Sequence, residues 1–221
     1  MMAKRIYTRF LLVGMALLGS EVCLAQTDVA ASLYWAFGTT TTGNRVMQGQ
    51  FRAPGALFEV RHISNPIVGF EGTYSFNRAN QSYFENYICP GISCGPTVAP
   101  AVSANAHELT GDWVASLKIR NLRPFALVGG GVILDMPRSP ETVVTIEGGL
   151  GPIVTASTTT NTIKPVFVYG GGLDWGLLPH LGLRFQFRGN LNKAPALATF
   201  FPSTNALTHT AEPTIGAYFR F

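Results

Sequence analysis

The sequence predicts an all-β fold, an eight-stranded antiparallel up-and-down β-barrel that crosses a membrane. Three observations carry the prediction. Apolar residues recur every second position, the connections between the apolar stretches alternate between long and short, and the polar face of the strands bears full charges.

The clearest strand is 181–191. Leu181, Leu183, Phe185, Phe187 and Leu191 share one face, and Arg184, Gln186, Arg188 and Asn190 share the other. Segment 67–76 sets Val68, Phe70, Tyr74 and Phe76 against Glu71, Thr73 and Ser75. Segment 107–117 sets Leu109, Trp113, Ala115 and Leu117 against Glu108, Thr110, Asp112 and Ser116. Weaker alternation over 29–37, 56–62, 125–133, 166–175 and 214–221 completes the set of eight.

The connections then sort into two kinds. Segments 39–54, 77–105, 136–163 and 192–210 are long, and the turns near 63–66, 120–122 and 176–180 are short. Outer-membrane barrels have this alternation, with long loops outside the cell and tight turns in the periplasm, and strands of about ten residues suit a tilted crossing.

Period two does not say which face is outside, since a soluble lipocalin-like carrier turns its apolar face inward. Charge decides the expectation. Glu59, Arg61, Glu71, Glu108, Asp112, Lys118, Asp174, Arg184, Arg188 and Arg220 lie on the polar face, where lipid would penalise them and a narrow barrel interior would let them pair. Trp35, Phe37, Phe76, Trp113, Trp175 and Phe219 fall near strand ends on the apolar face, as interfacial aromatics do.

The N-terminus has the layout of a secretory signal peptide. Lys4, Arg5 and Arg9 precede an apolar run over 10–18, and Ala25 offers a small residue for cleavage before Gln26. The run is too short for a spanning helix, which needs roughly 20 apolar residues. Bulky Val22 before Cys23 argues against a lipoprotein. The expected division is a signal peptide over 1–25 and a barrel domain over 26–221. Without residues 1–25 the chain keeps 13 basic against 11 acidic residues, so its basicity comes partly from the export signal and no nucleic-acid partner is expected.

Cys89 and Cys94, in the run Cys-Pro-Gly-Ile-Ser-Cys, read as a disulfide closing a loop tip in an oxidising compartment. A zinc pair is the competing reading, but no second ligand pair has matching spacing. Tyr83, Phe84 and Tyr87 in the same connection form a candidate contact surface.

The last eight residues, Thr-Ile-Gly-Ala-Tyr-Phe-Arg-Phe, resemble the C-terminal assembly signal of outer-membrane barrels, with Thr214, Gly216, Phe219 and Phe221 at the signal positions. With the export signal and the strand pattern, the chain resembles the OmpA/OmpX-type outer membrane protein beta-barrel domain group. Segments 123–131 and 169–175 are similar to stretches found in that group. The resemblance implies location in the cell outer membrane, contact with outer-membrane lipids and the barrel assembly machinery, an extracellular ligand or host surface as a further partner, and no periplasmic domain after Phe221.

Chemistry is sparsely encoded. Gly129-Gly-Gly131 and Gly170-Gly-Gly172 fit no phosphate-loop pattern and read as space for bulky neighbours in adjacent strands. His107 and His209 are placed near one rim, and His62 and His180 near the other, so the four histidines form no common cluster. The expected function is a non-enzymatic surface scaffold without cofactor or metal. Its alternatives are a small-solute channel, a lipocalin-like binding protein and a lipid A-modifying enzyme.

Overall fold

A computed structural model describes residues 26–65, 67–85, 94–138, 141–147 and 151–221. Eight strands form a closed antiparallel barrel: β1 (Gln26–Gly38), β4 (Ala53–Ile63), β5 (Val68–Arg78), β8 (Ala104–Ser116), β9 (Leu122–Pro137), β12 (Thr162–Gly176), β13 (Leu181–Lys193) and β14 (Leu207–Arg220). Each pairs with its neighbours in sequence, and β1 closes the ring by pairing with both β4 and β14. Closure satisfies every strand edge, which is what lets strands cross a layer that offers the backbone no water.

The polarity is inside out. Along β1, Ala30, Ser32 and Tyr34 are buried in the barrel, whereas Val29, Leu33 and Trp35 face outward. β13 buries Arg184, Gln186 and Arg188 and exposes Leu181, Phe185 and Phe187. Outward neighbours pack across strands: Phe70 and Trp113 are opposite each other in register, with rings edge to face at 5.9 Å. The lipocalin-like alternative is thereby corrected, because an apolar exterior around a charged interior is the arrangement for hydrocarbon, not water.

Short turns close one end. Between β4 and β5, Asn65 Oδ1 accepts hydrogen bonds from the Ile67 and Val68 amides at 3.0 and 2.7 Å, holding a tight Asx turn. Between β8 and β9, Ile119 and Leu122 exchange backbone bonds at 2.8 and 2.9 Å around Arg120, whose φ of 55° is left-handed.

The long connections at the other end carry strands of their own, which the sequence reading assigned to loop. They contain β2 (Thr41–Gly43), β3 (Val46–Gln50), β6 (Gln81–Glu85), β7 (Cys94–Val102), β10 (Glu141–Glu147) and β11 (Gly151–Ser157), joined as one six-stranded sheet in the order β11-β10-β7-β6-β3-β2. Pairing of β3 with β6 and of β7 with β10 stitches separate connections together.

Orientation of the faces is testable on one strand. Replacing outward Phe185 by Arg is expected to cost about 2–4 kcal/mol in urea unfolding from lipid vesicles. Replacing Gln186, buried with an amide that has no hydrogen-bond partner among the described residues, by Ala is expected to cost under about 1 kcal/mol. The reverse ranking would contradict the assigned polarity.

Candidate functional site

The barrel interior holds an ion network built on three arginines. Arg61 places Nε and Nη2 each 2.6 Å from Glu71 Oε2 and Nη1 3.2 Å from Asp174. Arg184 reaches Asp28 at 2.8 Å, Asp174 at 2.8 Å, Glu59 at 3.5 Å and Glu71 at 3.6 Å. Arg188 lies 3.4 Å from Asp112, 3.5 Å from Glu108 and 3.9 Å from Glu71. All nine side chains are 0–3% exposed. Hydroxyl and amide donors add to the network: Ser32 donates to Glu59 at 3.1 Å, Thr110 to Asp112 at 3.0 Å and Asn190 to Glu108 at 2.9 Å. Buried charges survive only when paired and hydrogen-bonded in this way.

The glycine triplets make room for the network. Gly129 and Gly131 of β9, and Gly170 and Gly172 of β12, fall at the inward positions of two adjacent strands. Phe125 is opposite Gly172 in register, and a Cβ at Gly172 would stand 2.7 Å from the Phe125 ring. With that space open, the ring lies under Arg61, whose Cζ is 4.0 Å from its centroid. A Cβ at Gly129 would collide with the Asp112 carboxylate.

One of the ten charges read as interior is corrected. Lys118 is exposed in the β8–β9 turn, beyond the last inward rung of its strand. Arg220 is half-buried at the same mouth, where its Nη2 donates to Tyr218 at 3.3 Å, and neither residue pairs with a described carboxylate. They line a recess of about 360 Å³ with Arg120, Arg123 and Tyr218. Asp28, Glu212 and Arg123 were missed, because the sequence reading began their strands three to seven residues too late; their inward parity with Ala30, Thr214 and Phe125 was the available signal.

Above Arg188 the interior narrows to a polar cavity of about 30 Å³ lined by Tyr34, Asn77, Glu108, Asn190 and Glu212. That volume holds a water, not a solute. Segment 194–206 then crosses the far end, between the two open edges of the six-stranded sheet. On one side Asn44 donates to the Ser203 carbonyl at 2.6 Å; on the other the Thr160 amide donates to the Leu197 carbonyl at 3.1 Å and the Thr199 amide to the Thr158 carbonyl at 3.1 Å. Leu197, Ala198 and Phe201 are buried there against Val46, Tyr83, Val102 and Ala104.

Tyr83 belongs to this core, which corrects its assignment to an exposed contact surface. Its ring stacks on Phe201 at 5.3 Å, and its hydroxyl donates to the Pro195 carbonyl at 2.9 Å while accepting from Gln48 and the Leu197 amide at 3.2 Å each. Phe84 is half-buried. Tyr87, Cys89 and the Cys94 side chain lie outside the described residues, as do residues 1–25, where the sequence reading expects a signal peptide.

Among the described residues no histidine pairs with an acid. Adjacent strand positions point to opposite faces, so His107 faces out while Glu108 faces in. Tyr74 bonds His107 at 2.8 Å and Tyr169 bonds His209 at 2.9 Å, both on the outer wall. At the other end His62 meets Thr27 at 3.0 Å and His180 meets the Arg220 carbonyl at 3.0 Å. At the C-terminus, Thr214 is buried inside, Gly216 faces Ser32, and Phe219 projects outward with its ring edge to face with Phe221 at 5.2 Å.

A closed eight-stranded ladder with an apolar exterior and an ion-filled interior defines a transmembrane β-barrel. No protein-family model and no curated protein matches the chain. Solved structures do. Neisserial surface protein A is 13% identical, with 88% of this chain and 97% of that one aligned at a TM-score of 0.50. The outer membrane protein OprG from Pseudomonas aeruginosa is 9% identical, with 90% and 97% aligned at a TM-score of 0.50. At these identities the likeness is one of fold, and the fold is that of small outer-membrane barrels.

Both halves of the site make predictions. Arg184→Ala leaves Asp28 and Asp174 short of a cation in a dry interior and is expected to destabilise the barrel by about 3–5 kcal/mol in urea unfolding. Phe201→Ala is expected to open 194–206 to protease while the barrel keeps its heat-modifiable gel migration, because the cap core is separate from the barrel ladder. Loss of the folded band in the second variant would contradict that separation.

Proposed function

We propose that the protein is a non-enzymatic outer-membrane scaffold of the OmpA/OmpX kind, exported by removal of 1–25, whose working surface is the cap of six strands and segment 194–206. The observation that carries this reading is the order of the cap. Three connections share one hydrogen-bonded ladder, the fourth bridges its open edges, and a buried cluster fills the space beneath. Such a platform holds its outer face in a fixed shape, at small entropy cost to a binding partner. An extracellular ligand or host surface is the partner this geometry suits, and Thr214, Gly216, Phe219 and Phe221 are the positions through which the assembly machinery would recognise the terminal strand.

The channel alternative is disfavoured by the interior. Three guanidiniums and six carboxylates fill the barrel cross-section, and segment 194–206 covers the end that carries the long connections. An eight-stranded barrel has an interior just wide enough for side chains.

The test is topological and electrical. On intact cells, a membrane-impermeant maleimide is expected to label Thr42→Cys, in β2 of the cap, above the background set by Cys89 and Cys94, and to leave Asn121→Cys in the β8–β9 turn unlabelled until the cells are broken. Purified protein in planar bilayers is expected to show no unitary conductance. Labelling of Asn121→Cys alone would invert the topology, and steady single-channel steps would favour the channel.

A further inference from the structure

Among the charged side chains that the structure places, charge is sorted by sign. Asp28, Glu59, Glu71, Glu85, Glu108, Asp112, Asp135, Asp174 and Glu212 are each at most 5% exposed. The charged side chains that the structure shows exposed are cations. Four of these cations lie at the end of the barrel that carries the long connections. On β5 Arg78 follows Phe76 on the outward face; directly after β9 Arg138 follows Met136 at the same parity; on β13 Lys193 follows Leu191. Arg52, the residue before β4, places its guanidinium 5.3 Å from the ring of Phe37 at the upper end of β1. In the ring order β1-β14-β13-β12-β9-β8-β5-β4, β5, β9 and β13 are every second strand and run toward the long connections, and β4 lies beside β5. Arg78, Arg138 and Lys193 are therefore spaced roughly 10 Å apart around the wall, at two strand widths, with Arg52 one strand from Arg78. None of the four cations pairs with an acid whose side chain is described.

We propose that this collar binds the phosphate groups of an anionic lipid in the leaflet that surrounds the cap. The collar's place on the molecule selects a lipid over a soluble polyanion. Each cation stands on the lipid-facing side, one outward position beyond the last apolar residue, rather than on the top of the cap. A molecule that satisfies both features carries acyl chains along Phe76, Met136 and Leu191 and a phosphate at their upper end. Basic residues at a membrane surface act in this additive way, with attraction that weakens as salt rises. Lys164 is not part of the collar, since its ammonium caps the carbonyls of Lys193 and Ala194. The inference rests on the outer-membrane placement proposed above, but its test is done in micelles, where the labelling result does not enter.

The test uses full-length folded protein in a neutral detergent and measures binding of bis-phosphorylated lipid A, of the same lipid after removal of its phosphates, and of soluble inositol hexakisphosphate. The comparison protein carries Arg78→Gln, Arg138→Gln and Lys193→Gln together, exposed changes whose folding is verified by heat-modifiable migration. Wild type is expected to prefer the phosphorylated lipid by about tenfold or more at low salt, and the triple variant to lose that preference. Equal binding of the two lipid forms by wild type, or an undiminished preference in the triple variant, would overturn the proposal. Binding of inositol hexakisphosphate as tight as that of the phosphorylated lipid would overturn it in favour of a soluble polyanion.

Discussion

Everything in this structure follows from one constraint: in hydrocarbon the backbone has no water to bond to. A strand edge left open there costs several kcal/mol for each polar group, so the ladder must close on itself. Pairing of β1 with both β14 and β4 meets that demand across a sequence separation of nearly the whole chain. Once the ladder is closed, strict alternation leaves each strand with one face for lipid and one for a narrow lumen. Trp113 on one side of β8 and Asp112 on the other are consequences of the same pleat.

The lumen then has its own problem, because eight strands enclose too little space for bulk water and too much to leave empty. Three arginines solve it with six carboxylates drawn from five strands, each guanidinium reaching two or more acids. A network of this kind brings little net stability over an apolar filling, since desolvation offsets much of the Coulomb attraction. What it provides is a sealed, specific interior. The inward glycines of β9 and β12 belong to the same solution, for they hold open the space that Phe125 and the arginines occupy.

The barrel was legible in the sequence because its signal is local. Leu181 to Leu191 can be read two residues at a time, and the charges Arg184 and Arg188 interrupt an apolar run at the spacing a pleat requires. Strand ends were harder. Asp28 precedes the first strongly apolar residue of its strand, and Glu212 lies where no strongly apolar residue stands between Leu207 and Ile215, so the alternation that identifies a strand is weak where they occur. The cap was invisible for a different reason. Thr-Val-Val-Thr-Ile at 142–146 has the composition of a strand, but one of its two partners, β7, lies in another connection, and nothing in the segment names it. Tyr83 illustrates the cost: an aromatic in a long connection looks like a contact residue until Phe201, more than a hundred positions away, is found stacked against it.

The central claim is that lipid meets the odd-numbered residues of β13 and the protein interior encloses the even ones. Spin labels placed singly at each position from Leu181 to Leu191, with the protein in lipid bilayers, measure this through collision with dissolved oxygen, which concentrates in hydrocarbon. The account predicts high oxygen accessibility at 181, 183, 185, 187 and 191, low accessibility with restricted motion at 184, 186, 188 and 190, and a period of two between them. A reversed phase, or accessibility without that period, would contradict it.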